Sequence, residues 1–225
     1  MRSVEWRYAS PKAKCLVVFL PGFGDDAEDF ERRGFVAEIR RHDLSVDMVA
    51  AQATLGYYGR SSFPERLATD VVEPARARGY EQVWLIGMSM GGMGTLYYAR
   101  THAKDVTGVF ALSPYVGDSS LTDEIRDQGG LVKWKGPPKV DALTDANYQR
   151  EIWRWLQAVL AGKEPGPNLY VGFGRNDKLE DQDVVLAAAL PRDHVYRAEG
   201  IHDWPTWKTL LNQFLSTSDF SRGCR

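Results

Sequence analysis

The stretch QVWLIGMSMGG, residues 82–92, decides how the rest of the chain is read. Gln82 to Gly87 is a short apolar run that suits a buried strand, and Gly92 to His102 carries a helical pattern. Between them, Gly87-Met88-Ser89-Met90-Gly91 forms a G-x-S-x-G sequence at a strand-to-helix turn. Such a turn strains the backbone of its serine and lifts the hydroxyl above the sheet. The residues two before and two after must then pass close together, which is a steric reason for glycine at 87 and 91. The helix start aims free N–H groups and a positive dipole end at the same spot. Ser89 is the candidate nucleophile.

Outward from this turn, apolar runs alternate with helical patterns. Strands are expected at Val17–Leu20, Val46–Ala51, Val106–Leu112, Leu169–Gly174 and Val195–Ala198, with an antiparallel edge strand over Val4–Ala9. Helices are expected over residues 27–41, 63–78, 92–102, 181–190 and 204–214. Continuous apolar strands separated by helices predict an α/β fold with a mostly parallel sheet covered on both faces. Residues 114–167 break the rhythm, with no clear strand and one amphipathic helix over Tyr148–Leu160. That segment reads either as a helix packed on the sheet edge or as an insertion that walls or partly covers a site.

A serine hydroxyl is a weak nucleophile without a base, and the base needs an orienting acid. There are four histidines. His42 and His102 close expected helices, where a cation suits the dipole, and His194 enters the last strand. His202 follows that strand in AEGIHDWPTW, where its loop reaches the C-terminal edge of the sheet, and it is the candidate base. Asp177, just beyond the penultimate strand, is the candidate acid, with Asp118 as its rival. Glu180, Asp181 and Asp183 read as the acidic first turn of a helix, and Asp203 adjoins the base but points elsewhere.

These motifs resemble the α/β-hydrolase superfamily over essentially the whole chain. The Met-Ser-Met-Gly-Gly turn is similar to those of small esterases and thioesterases of the esterase D-like and acyl-protein thioesterase-like groups. The resemblance implies an eight-stranded sheet with its first strands reduced or missing, and a triad of Ser89, His202 and Asp177 in the order Ser…Asp…His. It also implies an oxyanion hole from the N–H of Met90 and that of Phe23, although Pro21-Gly22 stands where many members have His-Gly. The Gly22-x-Gly24-x-x-Ala27 spacing fits a dinucleotide loop as well, but Asp25 and Asp26 oppose a pyrophosphate and the next strand lacks the ribose-binding acid.

The bulk composition agrees. At 225 residues the chain suits a single α/β-hydrolase domain, residues 1–225, with the 114–167 insertion inside it. A net charge of −2 gives no electrostatic reason to expect nucleic acid or an anionic membrane. No apolar run approaches the ~20 residues needed to span a bilayer. Met1 to Arg7 shows no secretory signal, and with Cys15 in a strand and Cys224 in the tail a disulfide between them is the weaker reading. A cytoplasmic monomer or homodimer is expected. No cofactor is expected, and no His/Asp/Glu cluster has metal-ligand spacing.

The expected function is serine-dependent hydrolysis of small carboxylic esters, with short to medium acyl chains. A thioesterase with the same triad is the nearest alternative, and a non-catalytic binding protein on the same fold is the alternative from another class. Tyr57 and Tyr58, after a strand, and Trp153 and Trp204, on segments flanking the site, are the expected substrate contacts. Indoles from both segments, Trp155 and Trp207 included, are expected to wall a compact apolar pocket.

Overall fold

The computed structural model describes residues 1–8, 13–58 and 62–225. In these residues the apolar runs form seven strands: β1 (Ser3–Trp6), β2 (Cys15–Leu20), β3 (Val46–Ala51), β4 (Gln82–Met88), β5 (Gly108–Leu112), β6 (Asn168–Gly174) and β7 (Val195–Ala198). They build one sheet in the order β1-β3-β2-β4-β5-β6-β7. β1 runs antiparallel to β3 and the other neighbours pair in parallel. Of the edge strand expected over Val4–Ala9, the end at Ala9 lies outside the described residues.

Helices α1 (Asp29–Arg32) and α2 (Phe35–Arg41) follow β2, and α3 (Leu55–Tyr58), α4 (Phe63–Leu67) and α5 (Glu73–Ala77) follow β3. α6 (Met90–Thr101) follows β4, and α7 (Ser119–Asp127) and α8 (Tyr148–Leu160) lie between β5 and β6. α9 (Glu180–Ala187) leads to β7, and α10 (Trp204–Thr217) and α11 (Asp219–Gly223) come after it. The expected 27–41 helix is split because Gly34 takes a left-handed φ of 86°. The expected 63–78 helix contains a π turn at Ala68–Val72. The short helices α3 and α11 lack the length for a periodic signal, and α7 falls in the 114–167 segment, where only the Tyr148–Leu160 helix was expected.

Both sheet faces are covered, so alternate strand residues enter two separate cores. Val83, Leu85, Val109 and Ala111 pack under α4 to α6, α8 and α9. Trp84, Ile86, Phe110 and Leu112 pack on the other side with α1, α2, α10 and α11. The register sets Leu20 beside Gly87, Met88 beside Leu112 and Gly174 beside Ala198. The parallel strands therefore end along one edge, and the loops leaving it carry Phe23, Ser89, Tyr115, Asp177 and His202.

One expectation is corrected here. Cys15 and Cys224 form a disulfide, with Cα atoms 5.7 Å apart across a sequence separation of 209. α11 brings the tail back against the start of β2, a return that no local pattern announces. No helix among the described residues is long and apolar enough to cross a membrane.

Candidate active site

Ser89 sits between β4 and α6 at φ 53° and ψ −117°. A left-handed φ at a non-glycine residue costs on the order of 1–3 kcal/mol and persists only where neighbours enforce it. Here the Ser89 N–H donates to the Leu112 carbonyl at 2.9 Å. The Ser89 carbonyl accepts from the N–H groups of Met93 at 3.1 Å and Tyr115 at 3.0 Å. A Cβ on Gly87 would lie 2.3 Å from the Gly91 oxygen, and one on Gly91 would lie 2.1 Å from the Leu20 oxygen. The turn admits only glycine at both flanks.

Beyond β6 and β7, Asp177 Oδ1 lies 2.8 Å from His202 Nδ1 and also accepts the Leu179 N–H at 2.8 Å. A carboxylate only accepts, so a neutral His202 carries its proton on Nδ1 and leaves Nε2 as a free acceptor. Burial pushes the Asp177 carboxyl up, but His202, the Leu179 N–H and the Ser113 hydroxyl outweigh it and hold it below the ordinary carboxylate range. Asp177 Oδ2 is buried with no hydrogen-bond partner in the described structure. The His202 ring meets Trp207 edge-on at 5.0 Å, and Trp207 is itself tied to Ser113 Oγ at 2.9 Å.

The competing acids and bases are occupied elsewhere. Asp118 accepts from the Tyr115 hydroxyl at 2.7 Å and from the Gln149 amide at 3.3 Å. Asp203 caps α10 through the Thr206 N–H at 3.0 Å. His42 and His102 stand at the C-terminal ends of α2 and α6, and His194 Nδ1 bonds the Leu169 carbonyl at 2.9 Å.

A cavity of about 540 Å³ opens at Ser89, and Phe23 and Met90 share its wall. Neither of their N–H groups donates a backbone hydrogen bond among the described residues. Met93 and Tyr97, one and two helical turns beyond Ser89, line one side. Tyr115, Tyr148 and Asp145 come from the segment between β5 and β6, and Lys178 and Leu179, the two residues after Asp177, complete the wall. Met93 and Tyr97 were not among the expected site residues; their four-residue spacing from Ser89 on the helix that follows it is the signal that could have found them.

The expected substrate contacts are only partly placed there. Tyr58 lines the cavity, stacked on Phe63 at 4.4 Å, whereas Tyr57 packs at the margin of the core. Trp153 is not in the wall: it is wholly buried, with its N–H on the Val116 carbonyl. Trp204 is not there either. It packs edge-on against Phe30 and Phe35 at 5.3 and 5.2 Å and donates to Asp25. Both indoles are buried, and each N–H finds an acceptor, Val116 for one and the turn residue Asp25 for the other.

The Esterase family model, described as "Putative esterase", matches residues 57–217. An acetyl esterase of Caldicellulosiruptor saccharolyticus is 28% identical over 178 residues, covering 68% of this chain and 62% of that protein. The chain thus spans about three fifths of the length of that curated relative. Among solved structures, the fluorophosphonate-binding serine hydrolase F (FphF) of Staphylococcus aureus, with substrate bound, superposes with a TM-score of 0.66 at 17% identity. That match covers 96% of this chain and 97% of that one. The S-formylglutathione hydrolase FrmB of Staphylococcus aureus gives 0.63 at 16% identity, covering 96% and 95%. Est1E of Butyrivibrio proteoclasticus gives 0.59 at 16%, covering 95% and 92%. At these identities the structural likeness is one of fold.

Proposed function

This chain belongs to the Esterase family, and from that premise we propose that it hydrolyses carboxylic esters through Ser89, His202 and Asp177. The observation that carries the reading is the Asp177–His202 hydrogen bond, formed at the same sheet edge as the strained Ser89. Ser89 Oγ attacks the acyl carbonyl while His202 Nε2 takes its proton, and Asp177 stabilises the resulting imidazolium. The oxyanion rests on the N–H groups of Met90 and Phe23, which have no competing backbone acceptor among the described residues. His202 then protonates the leaving alcohol, and on the return step activates the water that frees the acid.

The substrate is a small ester with a short to medium acyl chain, bound in the tyrosine- and methionine-lined cavity. The relative described as an acetyl esterase supports the short end of that range. Residues 1–225 act as one α/β-hydrolase domain in which the 114–167 segment supplies a wall through Tyr115 and Tyr148. The Cys15–Cys224 disulfide favours an oxidising compartment over a reduced cytoplasm.

The decisive experiment is fluorophosphonate labelling with a panel of esters and thioesters of graded acyl length. Wild type is expected to label at Ser89 and turn over short esters, and Ser89→Ala to do neither while keeping its Tm. Full activity in Ser89→Ala would end this reading. Faster turnover of matched thioesters would instead make the protein a thioesterase with the same triad.

A further inference from the structure

Two loops at the sheet edge that carries Ser89, one with Phe23 and one with His202, come from opposite ends of the chain, and one hydrogen bond joins them. Trp204, two residues after His202, gives its indole N–H to Asp25 Oδ1 at 3.1 Å, and Asp25 lies two residues after Phe23. The bond spans 179 positions of sequence.

Each end of this bond is held. The Trp204 ring is fixed edge-on by Phe30, Phe35 and Trp207 at 5.3, 5.2 and 5.8 Å. Asp25 closes a tight turn, its N–H reaching the Gly22 carbonyl at 3.3 Å, with the 72%-exposed Phe23 at the tip. Its second carboxylate oxygen lies against Gly22, where a Cβ would come within 2.8 Å of it. Asp25 therefore braces the turn from inside. The other acids of the stretch face away: Asp26 caps the Glu28 and Asp29 N–H groups, and both Asp26 and Asp29 pair with Arg32. Burial raises the Asp25 carboxyl above its ordinary range even though the Trp204 bond pulls the other way.

We propose that Trp204 is a positioning residue: through Asp25 it holds the 22–25 turn so that the Phe23 N–H stays aimed at the oxyanion formed on Ser89. The inference rests on the ester-hydrolase reading above. An oxyanion donor is worth roughly 10²–10³ in kcat when well aimed, and a donor on an untethered turn loses part of that. The role of Asp25 is to accept a hydrogen bond, because a negative charge at that place opposes the charge that develops on the oxyanion.

The test compares Trp204→Phe, Asp25→Ala and Asp25→Asn with the wild type in the full chain. It reads kcat and KM on a short ester, Tm, and the affinity of an alkyl boronic acid, whose tetrahedral serine adduct places an oxygen in the oxyanion site. Trp204→Phe and Asp25→Ala are expected to lower kcat by about tenfold or more, with KM within about twofold. Boronate affinity is expected to fall by a similar factor. Asp25→Asn, which keeps an acceptor oxygen, is expected within about threefold of wild type on every readout. Wild-type kcat and boronate affinity in Trp204→Phe would overturn the proposal, as would an Asp25→Asn as impaired as Asp25→Ala. A wild type that neither turns over esters nor binds boronate would instead remove the function on which the proposal rests.

Discussion

The indole N–H of Trp153 reaches the Val116 carbonyl at 2.8 Å, with the ring wholly buried. That bond fixes the Trp153 side of α8 toward the core. Trp155 on the same helix is also buried. Trp153→Ala should therefore act on stability. A Trp-to-Ala cavity costs about 3–5 kcal/mol, and a carbonyl left unpaired adds about 1–3 kcal/mol. Thermal unfolding is the measurement, with acyl-length preference expected to stay as in wild type wherever the variant folds.

Tyr148 is the residue of that helix that lines the cavity, where it stacks on Tyr97 at 6.4 Å. Tyr148→Ala should open the wall and move the preferred acyl chain to greater length. Each added methylene that finds apolar contact contributes at most ~0.8 kcal/mol to kcat/KM. A kcat/KM series from acetate to decanoate esters tests it, and an unmoved optimum would place the acyl chain elsewhere.

Asp177→Asn should lower kcat by roughly 10²–10⁴, since the amide no longer selects the His202 tautomer with Nε2 free. Asp118→Asn should change kcat little, because Asp118 is engaged by Tyr115 and Gln149. Steady-state kinetics on one short ester separate the two, and the reverse ranking would move the acid to the loop after β5.

Asp183 is fully buried on α9 and neither of its carboxylate oxygens has a hydrogen-bond partner in the described structure. Burial, then the charges of Asp177 and Glu180, push it well above the ordinary carboxylate range. With the folded pKa above the unfolded one, its ionisation costs nothing below about pH 4, where both states are largely protonated. It destabilises progressively as pH rises from the unfolded value through the folded one. Asp183→Asn, neutral throughout, should match the wild-type Tm in acid and exceed it by a margin that widens above about pH 4. A margin independent of pH would mean that Asp183 does not titrate differently on folding.

The disulfide closes a loop with a sequence separation of 209. Chain-entropy arithmetic for so long a loop gives about 5 kcal/mol, although measured losses are usually about 2–4 kcal/mol. Cys224→Ser should lower Tm accordingly while leaving kcat/KM at 25 °C near wild type. Cys15 begins β2, at the end of the sheet opposite Ser89, so its loss leaves the catalytic loops in place. A loss of activity without a change in Tm would contradict this.

The sequence by itself determined the α/β class, the strand-to-helix turn at Ser89, and the identity of the loops that carry Asp177 and His202. These are legible because they are local. A buried parallel strand must be apolar throughout, a helix must start where N–H groups are free, and the steric pinch of the turn admits only glycine at 87 and 91. The tertiary structure alone decided what each aromatic faces. An amphipathic helix announces that it buries a stripe, but not whether the stripe meets a core or a cavity. Trp153 and Trp204 are buried, with their N–H groups on acceptors of Val116 and Asp25 that lie far away in sequence. The same holds for the pairing of Cys15 with Cys224 and for that of Asp177 with His202, since both depend on where distant segments return. Long-range pairing is set by the packing of whole elements, and no single stretch of sequence carries it.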